Sequence, residues 1–438
     1  MPTHDLARWL GELARTEPDR AGLAEAVIDW LTAGEGVEAI DLGRVMRFAW
    51  YELPIKWLDG PEVHRRALEV AADLFDHLDL PGYAAVCRSP VTASIHEAYA
   101  ESDETGAKAF AKAYRESGID PPDLEGFAWG DVMGTDEAVA RDDAERALEL
   151  AIASGRFVPG RRGWKAAAAE VTAAVLDEPD ALGQTRRHAV LTERLHHWLL
   201  AAEHRSPELH ALRARYANRL LHPIPVPADA TERLEPVMWF LDSVEPGARL
   251  TAAGFLPTLM VRDAWERFDW QRDWIGAPPR SESDFGQLFE LRQLLQRVGA
   301  IYTRAKVVRP TATGTRMGRD LGFAWRSVAT GLSGFAWVKA VAEAHALLLM
   351  EGERFDDDLE DRVLRMMAEM GWRHGDQPPD RWALMSAWHA TRRPLEALGG
   401  IEAMGDWRHR RTLLTDFGRA TLLEQIRVTA TGPASTVL

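Results

Sequence analysis

The chain has 438 residues, of which 46% are hydrophobic and 27% are charged, as in a globular protein long enough to bury more than one core. Its 67 acidic residues exceed its 52 basic ones, and the net charge of −15 argues against a general nucleic-acid coat while leaving room for a local basic patch. The single cysteine, Cys87, excludes an intramolecular disulfide and a zinc site of four thiolates.

The first 222 residues are expected to be almost entirely helical, because apolar residues recur there at three- and four-residue spacing. Pro18, Pro61 and Pro207 stand where helices should begin, since the missing N–H costs least at the first helical position. No run alternates with period two for long enough to predict a strand. The predicted helices are Asp5–Ala14, Asp19–Leu31, Glu62–Leu78, Thr105–Ser117, Asp136–Ser154, Trp164–Leu176 and Thr185–His204.

Two chain segments are expected to separate domains. The stretch His222–Ala228, which reads HPIPVPA, contains three prolines in five residues and favours an extended connection. A second boundary is predicted near Gly352, before the acidic run Glu353–Asp361. The sequence therefore predicts a helical domain over 1–222, a second domain over 229–352 and a C-terminal helical region over 353–438.

The second predicted domain has the element order of a winged helix-turn-helix. A helix-like segment, Leu256–Phe268, precedes a strongly periodic helix, Phe285–Val298. A candidate two-stranded ribbon, Ala300–Pro310, then leads to the tetrad Thr311–Gly314 and another helix. Helix, helix, short ribbon and helix is the order that a winged helix shows, with the ribbon as its wing.

A weaker copy of this pattern ends the chain. Arg408–Leu414 could form a second wing strand, and Thr415–Gly418 repeats the T-x-x-G pattern of Thr311–Gly314 at a spacing of 104 residues. The threonine side chain would start the turn and the glycine would supply the backbone angle. An internal duplication and chance recurrence of a common tetrad both remain open.

The apolar run Val328–Met350 predicts a buried helix and not a membrane span, because Lys339, Glu343 and His345 interrupt it. The N-terminus shows no basic segment followed by an apolar core, as a secretory signal would. We therefore expect a cytoplasmic protein without a membrane partner. Strand content should stay below about 15%.

Three motifs punctuate the stretch 249–332: LTAAGFLP at 250–257, LFELRQLL at 288–295 and TATG at 311–314. With these motifs the stretch resembles a module of uncharacterised actinobacterial proteins. The resemblance implies a winged-helix-like fold and carries no activity over to this chain.

Basic residues concentrate around the two predicted wings. Between Arg304 and Arg326 there are six basic residues and one acid, a net of +5 in a chain of −15. Such a wing could lie along phosphates, while the alternative is that its arginines pair with the protein's own acids, such as Glu353–Asp361. The nucleic-acid-binding candidates are Arg304, Lys306, Arg309, Arg316, Arg319, Arg408, Arg410 and Arg411.

A second basic stretch, Gly155–Lys165, precedes the helix predicted from Trp164. Three glycines and a helix N-terminus could hold an anion, but the stretch lacks the G-K-[ST] of a phosphate loop, so a solvated turn is the alternative. Its candidate anion-binding residues are Arg156, Arg161, Arg162 and Lys165.

Metal and cofactor sites are not expected. Asp357–Asp361 matches DDxxD, yet no second metal motif accompanies it, and acids in a first helical turn also stabilise the helix dipole. Glu193 and His196 form one E-x-x-H pair, whereas a di-metal bundle needs two. No nucleophile motif is present, so no catalytic residue is predicted.

The sequence predicts a mainly α protein that binds without catalysis, with nucleic acid as the leading ligand of the basic wing. A protein–protein scaffold that binds acidic protein surfaces is the alternative, and a helical metal-dependent enzyme is the third hypothesis. Exposed wing arginines favour the first and exposed patches among the 17 tryptophans favour the second. A deep pocket with converging carboxylates favours the third.

Overall fold

A computed structural model describes residues 3–57, 60–268, 270, 277–332, 334, 336–352, 357–404 and 411–434. The protein is mainly helical, with 68% helix and 5% strand, as the sequence predicts. The chain forms two compact units. The first contains Met1–Trp129 and Met133–Val190, and the second contains Gly130–Val132 and Leu191–Leu438.

The first unit is built from helices α1 to α10 and the start of α11. All seven helices predicted for residues 1–222 are present, and their ends differ from the predicted ones by at most two residues. The helices are α1 (Thr3–Thr16), α2 (Pro18–Thr32), α3 (Leu42–Arg47), α4 (Leu53–Lys56), α5 (Pro61–His77), α6 (Pro81–Cys87), α7 (Pro90–Glu101), α8 (Asp103–Ser117), α9 (Thr135–Ala153), α10 (Trp164–Asp177) and α11 (Arg186–Glu203).

A charged network holds α3 and α9 together in this unit. Glu145 of α9 is buried and accepts from two guanidinium groups, 2.5 Å from Arg47 and 3.2 Å from Arg141. Arg141 also pairs with Asp120 at 2.6 Å. Gly43 lets α3 approach, because a Cβ there would lie 2.7 Å from Glu145 Oε2.

The second unit contains the remaining helices and the five strands of the described chain. The strands Ile301–Arg304 and Val307–Pro310 lie within the first predicted wing and Arg411–Leu414 lies within the second, whereas Ala248–Arg249 and Ile401–Met404 lie outside both. The elements are α12 (Pro207–Leu220), α13 (Ala230–Arg233), α14 (Glu235–Val244), β1 (Ala248–Arg249), α15 (Thr258–Arg267), α16 (Gly286–Arg297), β2 (Ile301–Arg304), β3 (Val307–Pro310), α17 (Ala312–Met317), α18 (Leu321–Gly331), α19 (Ala336–Met350), α20 (Asp357–Glu369), α21 (Arg381–Ala397), β4 (Ile401–Met404), β5 (Arg411–Leu414) and α22 (Asp416–Thr431).

Two small antiparallel sheets follow α16 and α21. The first has the strand order β1-β3-β2, so that β1 completes a sheet with the hairpin β2–β3. The second is the two-stranded hairpin β4–β5. Ile301 and Val308 are buried and attach the first sheet to the core of the unit.

Thr311, which follows the first hairpin, joins the start of α17 to the turn that leads from α16 into that hairpin. Its Oγ1 donates to the Gly299 carbonyl oxygen at 2.6 Å and accepts from Gly314 N–H at 3.1 Å, so that it caps α17. Threonine therefore starts the turn as the sequence predicts. The reason predicted for the glycine is wrong. Gly314 has no left-handed backbone angle, and a Cβ there would instead collide with the Ala300 carbonyl oxygen.

The same arrangement recurs after α21. Thr415 Oγ1 donates to the Gly399 carbonyl oxygen at 3.0 Å and accepts from Gly418 N–H at 3.1 Å, and a Cβ at Gly418 would collide with the Gly400 carbonyl oxygen. Position 399 follows 299 by 100 residues, whereas Thr415 follows Thr311 by 104. The difference equals the extra four residues between β4 and β5, six against two between β2 and β3. The two segments therefore share backbone geometry as well as the tetrad.

The compact units do not coincide with the three segments predicted from the sequence. The division falls at Val190, inside α11, so residues 191–222 belong to the second unit. The proline-rich His222–Ala228 and the predicted boundary at Gly352 both lie within that unit. The prolines end α12 at this point because proline cannot continue a helix. They do not separate two domains, since Leu212, Leu220 and Ile224 pack in one core with Phe240.

No single helix of the described residues is long and apolar enough to span a membrane. Helices α18 and α19 reach that length and apolarity only when taken together, and the chain bends by 108° between them. From Val341 to Met350, α19 is buried in the core of the second unit.

Candidate functional site

The solvent side of the sheet β1-β3-β2 is the candidate site. Tyr302 lies opposite Arg309, and Arg304 lies opposite Val307, which also pairs with Arg249. Directly opposite residues in antiparallel strands share one side of a sheet, and buried Val308 marks the other side. Arg249, Tyr302, Arg304, Val307 and Arg309 therefore form one surface, called the strand face below.

The side chains of the strand face reach water. Arg249, Arg304 and Arg309 are exposed, Val307 is half-buried, and Tyr302 exposes 43% of its surface. Arg309 lies beside the first strand, since a Cβ at Gly247 would be 3.1 Å from its guanidinium group. Three guanidinium groups and one phenol ring thus share a small sheet.

The hairpin turn adds a fourth cation. Ala305 and Lys306 both have positive φ, 48° and 61°, a conformation that normally selects glycine or asparagine. Lys306 is exposed, and its Nζ donates to the Ala252 carbonyl oxygen at 3.1 Å. Its own carbonyl oxygen accepts from Leu250 N–H at 2.8 Å, which fixes the turn against the 250–254 loop.

Within the described residues, the cations of the sheet have no acidic partner. Arg249, Arg304, Lys306 and Arg309 form no ion pair there, and neither do the nearby acids Asp242 and Glu245 at the end of α14, which are exposed. The charges of these cations are therefore not taken up by ion pairs with described acids, and the face offers them to an external anion.

The candidates on the neighbouring helix segment behave differently from one another. Arg319 is exposed and forms no ion pair with described residues. Arg316 is exposed but lies over the Phe323 ring at 3.9 Å, and its Nη2 is 3.9 Å from Asp320 Oδ2. Arg316 is thus engaged by its own chain in part, whereas Arg319 can extend the positive surface.

The second predicted wing, Arg408–Leu414, is described only from residue 411 onward. Arg408 and Arg410 lie outside the described residues. Arg411 begins β5, where it pairs with Met404, but its side chain also lies outside the described part. The prediction for these three arginines stays a prediction.

Part of the acidic run that could have paired with the wing has another partner. Glu360 and Asp361 pair with Arg381 of α21, at 3.4 and 2.5 Å respectively. Residues 353–356 lie outside the described part, as does the side chain of Asp357. Glu360 and Asp361 therefore pair with α21 and not with the cations of the strand face.

The helix that would enter a DNA groove in a helix-turn-helix protein is covered here. From Gly286 to Gln296 no side chain of α16 is exposed, because the helix packs against α18 and α21. Glu290 lies 3.7 Å from Arg393 of α21, and Arg297 donates to the Gly331 carbonyl oxygen at 2.7 Å. A helix enclosed in this way cannot present base-reading side chains.

The predicted anion loop forms turns as expected from its glycines. Gly155, Gly160 and Gly163 have positive φ, and α10 begins at Trp164. Arg156, Arg161, Arg162 and Lys165 are all exposed, so the loop is a solvated basic surface of the first unit. The exposure of the four cations does not test anion binding, and the anion site stays a prediction.

The described residues contain no group of three or more His, Cys, Asp or Glu side chains that could hold a metal. A cavity of about 300 Å³ in the first unit is lined mainly by apolar surface and includes Cys87 and His96. Burial raises the pKa of the Cys87 thiol to about 12, so the thiolate needed for nucleophilic chemistry is rare near neutral pH. The hypothesis of a helical metal-dependent enzyme stays untested by these features.

Within neither unit do the exposed tryptophans of the described residues form the patch that a scaffold would need. Only Trp30, at 40%, and Trp382, at 76%, are exposed, and they belong to different units. Trp50, Trp198, Trp239, Trp325 and Trp388 are buried in the cores. The tryptophan content therefore serves mainly packing.

Sequence reasoning missed two members of the strand face, Arg249 and Tyr302. Arg249 joins it through β1, a strand of two residues that leaves no alternating pattern in the sequence. Tyr302 stands in the predicted ribbon, and alternation within the hairpin could have placed it beside Arg304.

Comparisons of the chain with models of protein families, with curated proteins and with solved structures found no match. The strand face must therefore be interpreted from its own chemistry.

Proposed function

We propose that the protein binds nucleic acid through the strand face and catalyses no reaction there. The observation that carries this proposal is a set of exposed cations on one small sheet that have no acidic partner among the described residues, in a chain that has 15 more acids than bases. Arginine presents a planar fork to phosphate oxygens, and three such groups stand together here with Lys306 at the turn.

The surrounding elements support the same proposal. Helix α14, strand β1, helices α15 and α16 and the hairpin β2–β3, with strand order β1-β3-β2, follow one another as in a winged helix. In such a unit the wing can lie along the phosphate backbone. Because α16 is covered, contacts in this protein would come from the wing and would fix position on the backbone without reading sequence.

The test is the salt dependence of binding to a short labelled DNA duplex. Each neutralised phosphate adds about −0.9 to the slope of log K against log salt, so three contacts predict a slope near −3. Replacing Arg304, Lys306 and Arg309 with Ala should flatten that slope by a similar amount. Thermal stability should hardly change, because exposed charges contribute little to folding.

A matched control removes the same charge elsewhere. Replacing Arg156, Arg161 and Arg162 with Ala takes three exposed cations from the first unit and leaves the strand face intact. This variant should bind with the wild-type slope. The proposal fails if the wild type does not bind even at low salt, or if both triple variants lose affinity equally, since net charge alone would then explain the result.

A further inference from the structure

We infer that the preferred ligand of the strand face is single-stranded nucleic acid, with one base stacked on Tyr302. This inference rests on the proposed function and names the class of nucleic acid. The juxtaposition that carries it is an exposed aromatic ring that shares one side of a sheet with two neighbouring arginines, Arg304 and Arg309, in a unit whose helix α16 is covered.

Tyr302 does not belong to the hydrophobic core of the second unit. It exposes 43% of its surface, and its ring makes no aromatic or cation–π contact with the described residues. Exposed tyrosine on a hairpin leaves apolar ring surface in water, which a stacked base would cover. A tyrosine here is therefore better explained by a planar ligand than by packing.

The neighbours of Tyr302 suit a nucleotide. Arg309 lies directly across from it, and Arg304 follows it two residues along the same strand and on the same side. Two residues along a strand span about 6.7 Å, close to the separation of successive phosphates in an extended single strand. The ring can thus stack on one base while the arginines contact the phosphates on either side.

The size of the sheet limits the site to a short segment. Strands β2 and β3 have four residues each, or about 13 Å at 3.3 Å per residue, which is room for about two nucleotides. A flexible single strand can follow such a surface closely and unstack its bases. A duplex keeps its bases stacked inside, so that Tyr302 would have no base to contact.

Single-stranded and double-stranded nucleic acid are expected to differ in the source of their affinity for the strand face. With three phosphate contacts, single strands predict a salt slope near −2, at about −0.7 per phosphate, against near −3 for a duplex. Loss of the Tyr302 ring should weaken single-strand binding by about 5- to 150-fold, the range known for stacking on an aromatic side chain. That loss should leave the slope unchanged, since stacking releases no counterions.

The experiment measures the affinity of the full chain for labelled dT12, U12 and the duplex dT12–dA12 over a series of salt concentrations. The wild type should bind the single strands more tightly than the duplex. Tyr302→Ala should weaken binding of the single strands alone, and Tyr302→Phe should bind like wild type. Tyr302→Thr, which keeps the preference for a strand, guards against an effect of misfolding.

The outcomes separate this inference from the proposed function. Equal or tighter binding of the duplex, or no effect of Tyr302→Ala and Tyr302→Thr on single strands, overturns the inference and leaves phosphate binding by the wing standing. Failure of every nucleic acid to bind, or binding unaffected by the triple variant of Arg304, Lys306 and Arg309, overturns the proposed function itself.

Discussion

Arginine does different work in the two units of this protein. In the first unit Arg47 and Arg141 converge on buried Glu145 and tie α3 to α9. On the strand face of the second unit Arg304 and Arg309 stand in water without an acid beside them among the described residues. Arginine thus stabilises the fold where it pairs with a buried acid, and it remains available to a ligand where it is exposed without such a pair.

The two environments also differ in the free-energy cost of removing a charge. A buried ion pair that loses one partner leaves a charge that is poorly solvated, whereas an exposed cation that is removed leaves only water. Changes in the α3–α9 network should therefore appear in stability, and changes on the strand face should appear in binding. The following variants test that separation.

The largest effect is expected for Glu145→Gln. Arg47 would lose its carboxylate and Arg141 would keep only Asp120, so the free energy of unfolding should fall by about 3 kcal/mol. Urea denaturation measures the change. Glu62→Gln is the control, because Glu62 pairs with Arg65 in full exposure, and it should leave the transition where it is. Equal shifts for both variants would contradict the role given to the network.

The second prediction concerns His345, which the core of the second unit keeps uncharged. His345 is fully buried and stacks on Trp388 with ring centroids 4.5 Å apart, and burial lowers the pKa of His345 to about 4. Arg392 lowers this pKa further and the Val341 carbonyl oxygen opposes the effect. The neutral ring is therefore the form that this core stabilises.

The sign of the pH dependence follows from this pKa. Between pH 6.5 and about 4 the unfolded chain binds a proton at His345 that the folded chain does not, so stability falls as the pH falls through that range. The loss is roughly 3 kcal/mol. In His345→Leu this part of the pH dependence should disappear. Parallel stability curves for the two proteins over this range would show that the histidine is not held neutral.

The smallest effect is expected at the hairpin turn. Lys306→Gly relieves a left-handed conformation and should raise the free energy of unfolding by about 0.5–1 kcal/mol, while removing one phosphate contact and about 0.9 from the duplex salt slope. Ala305→Gly is the matched control, since it relieves the same strain without losing charge. It should stabilise the protein and leave binding unchanged. A loss of binding in Ala305→Gly would show that turn geometry, and not the Lys306 charge, matters.

Most of the helices could be predicted from the sequence, because their signals are local. Apolar spacing places α2, α5 and α9, and the leucines of 288–295 place α16. The hairpin after α16 could also be predicted, from Gly299 and the T-x-x-G tetrad. Local patterns of this kind need no knowledge of what packs against them.

The site could be predicted only in part, because its shape is set by contacts distant in sequence. The basic residues of the ribbon were visible as a charge cluster. The pairing of β1 with β3, which brings Arg249 to the same surface, joins residues about 60 positions apart and leaves no periodic signal. The packing of α16 against α21 likewise joins two helices about 100 residues apart, and it removes the base-reading helix that the winged-helix order favours.

Hydrogen–deuterium exchange with and without dT12 tests the central claim most directly, because it locates the ligand on the chain. The claim predicts slower exchange at residues 248–254 and 301–310, which contain β1, the loop that accepts from Lys306, and the hairpin. It predicts no change in the basic loop 155–165 of the first unit, although that loop is also rich in exposed cations. Slower exchange at 155–165 with an unchanged hairpin would contradict the assignment of binding to the strand face.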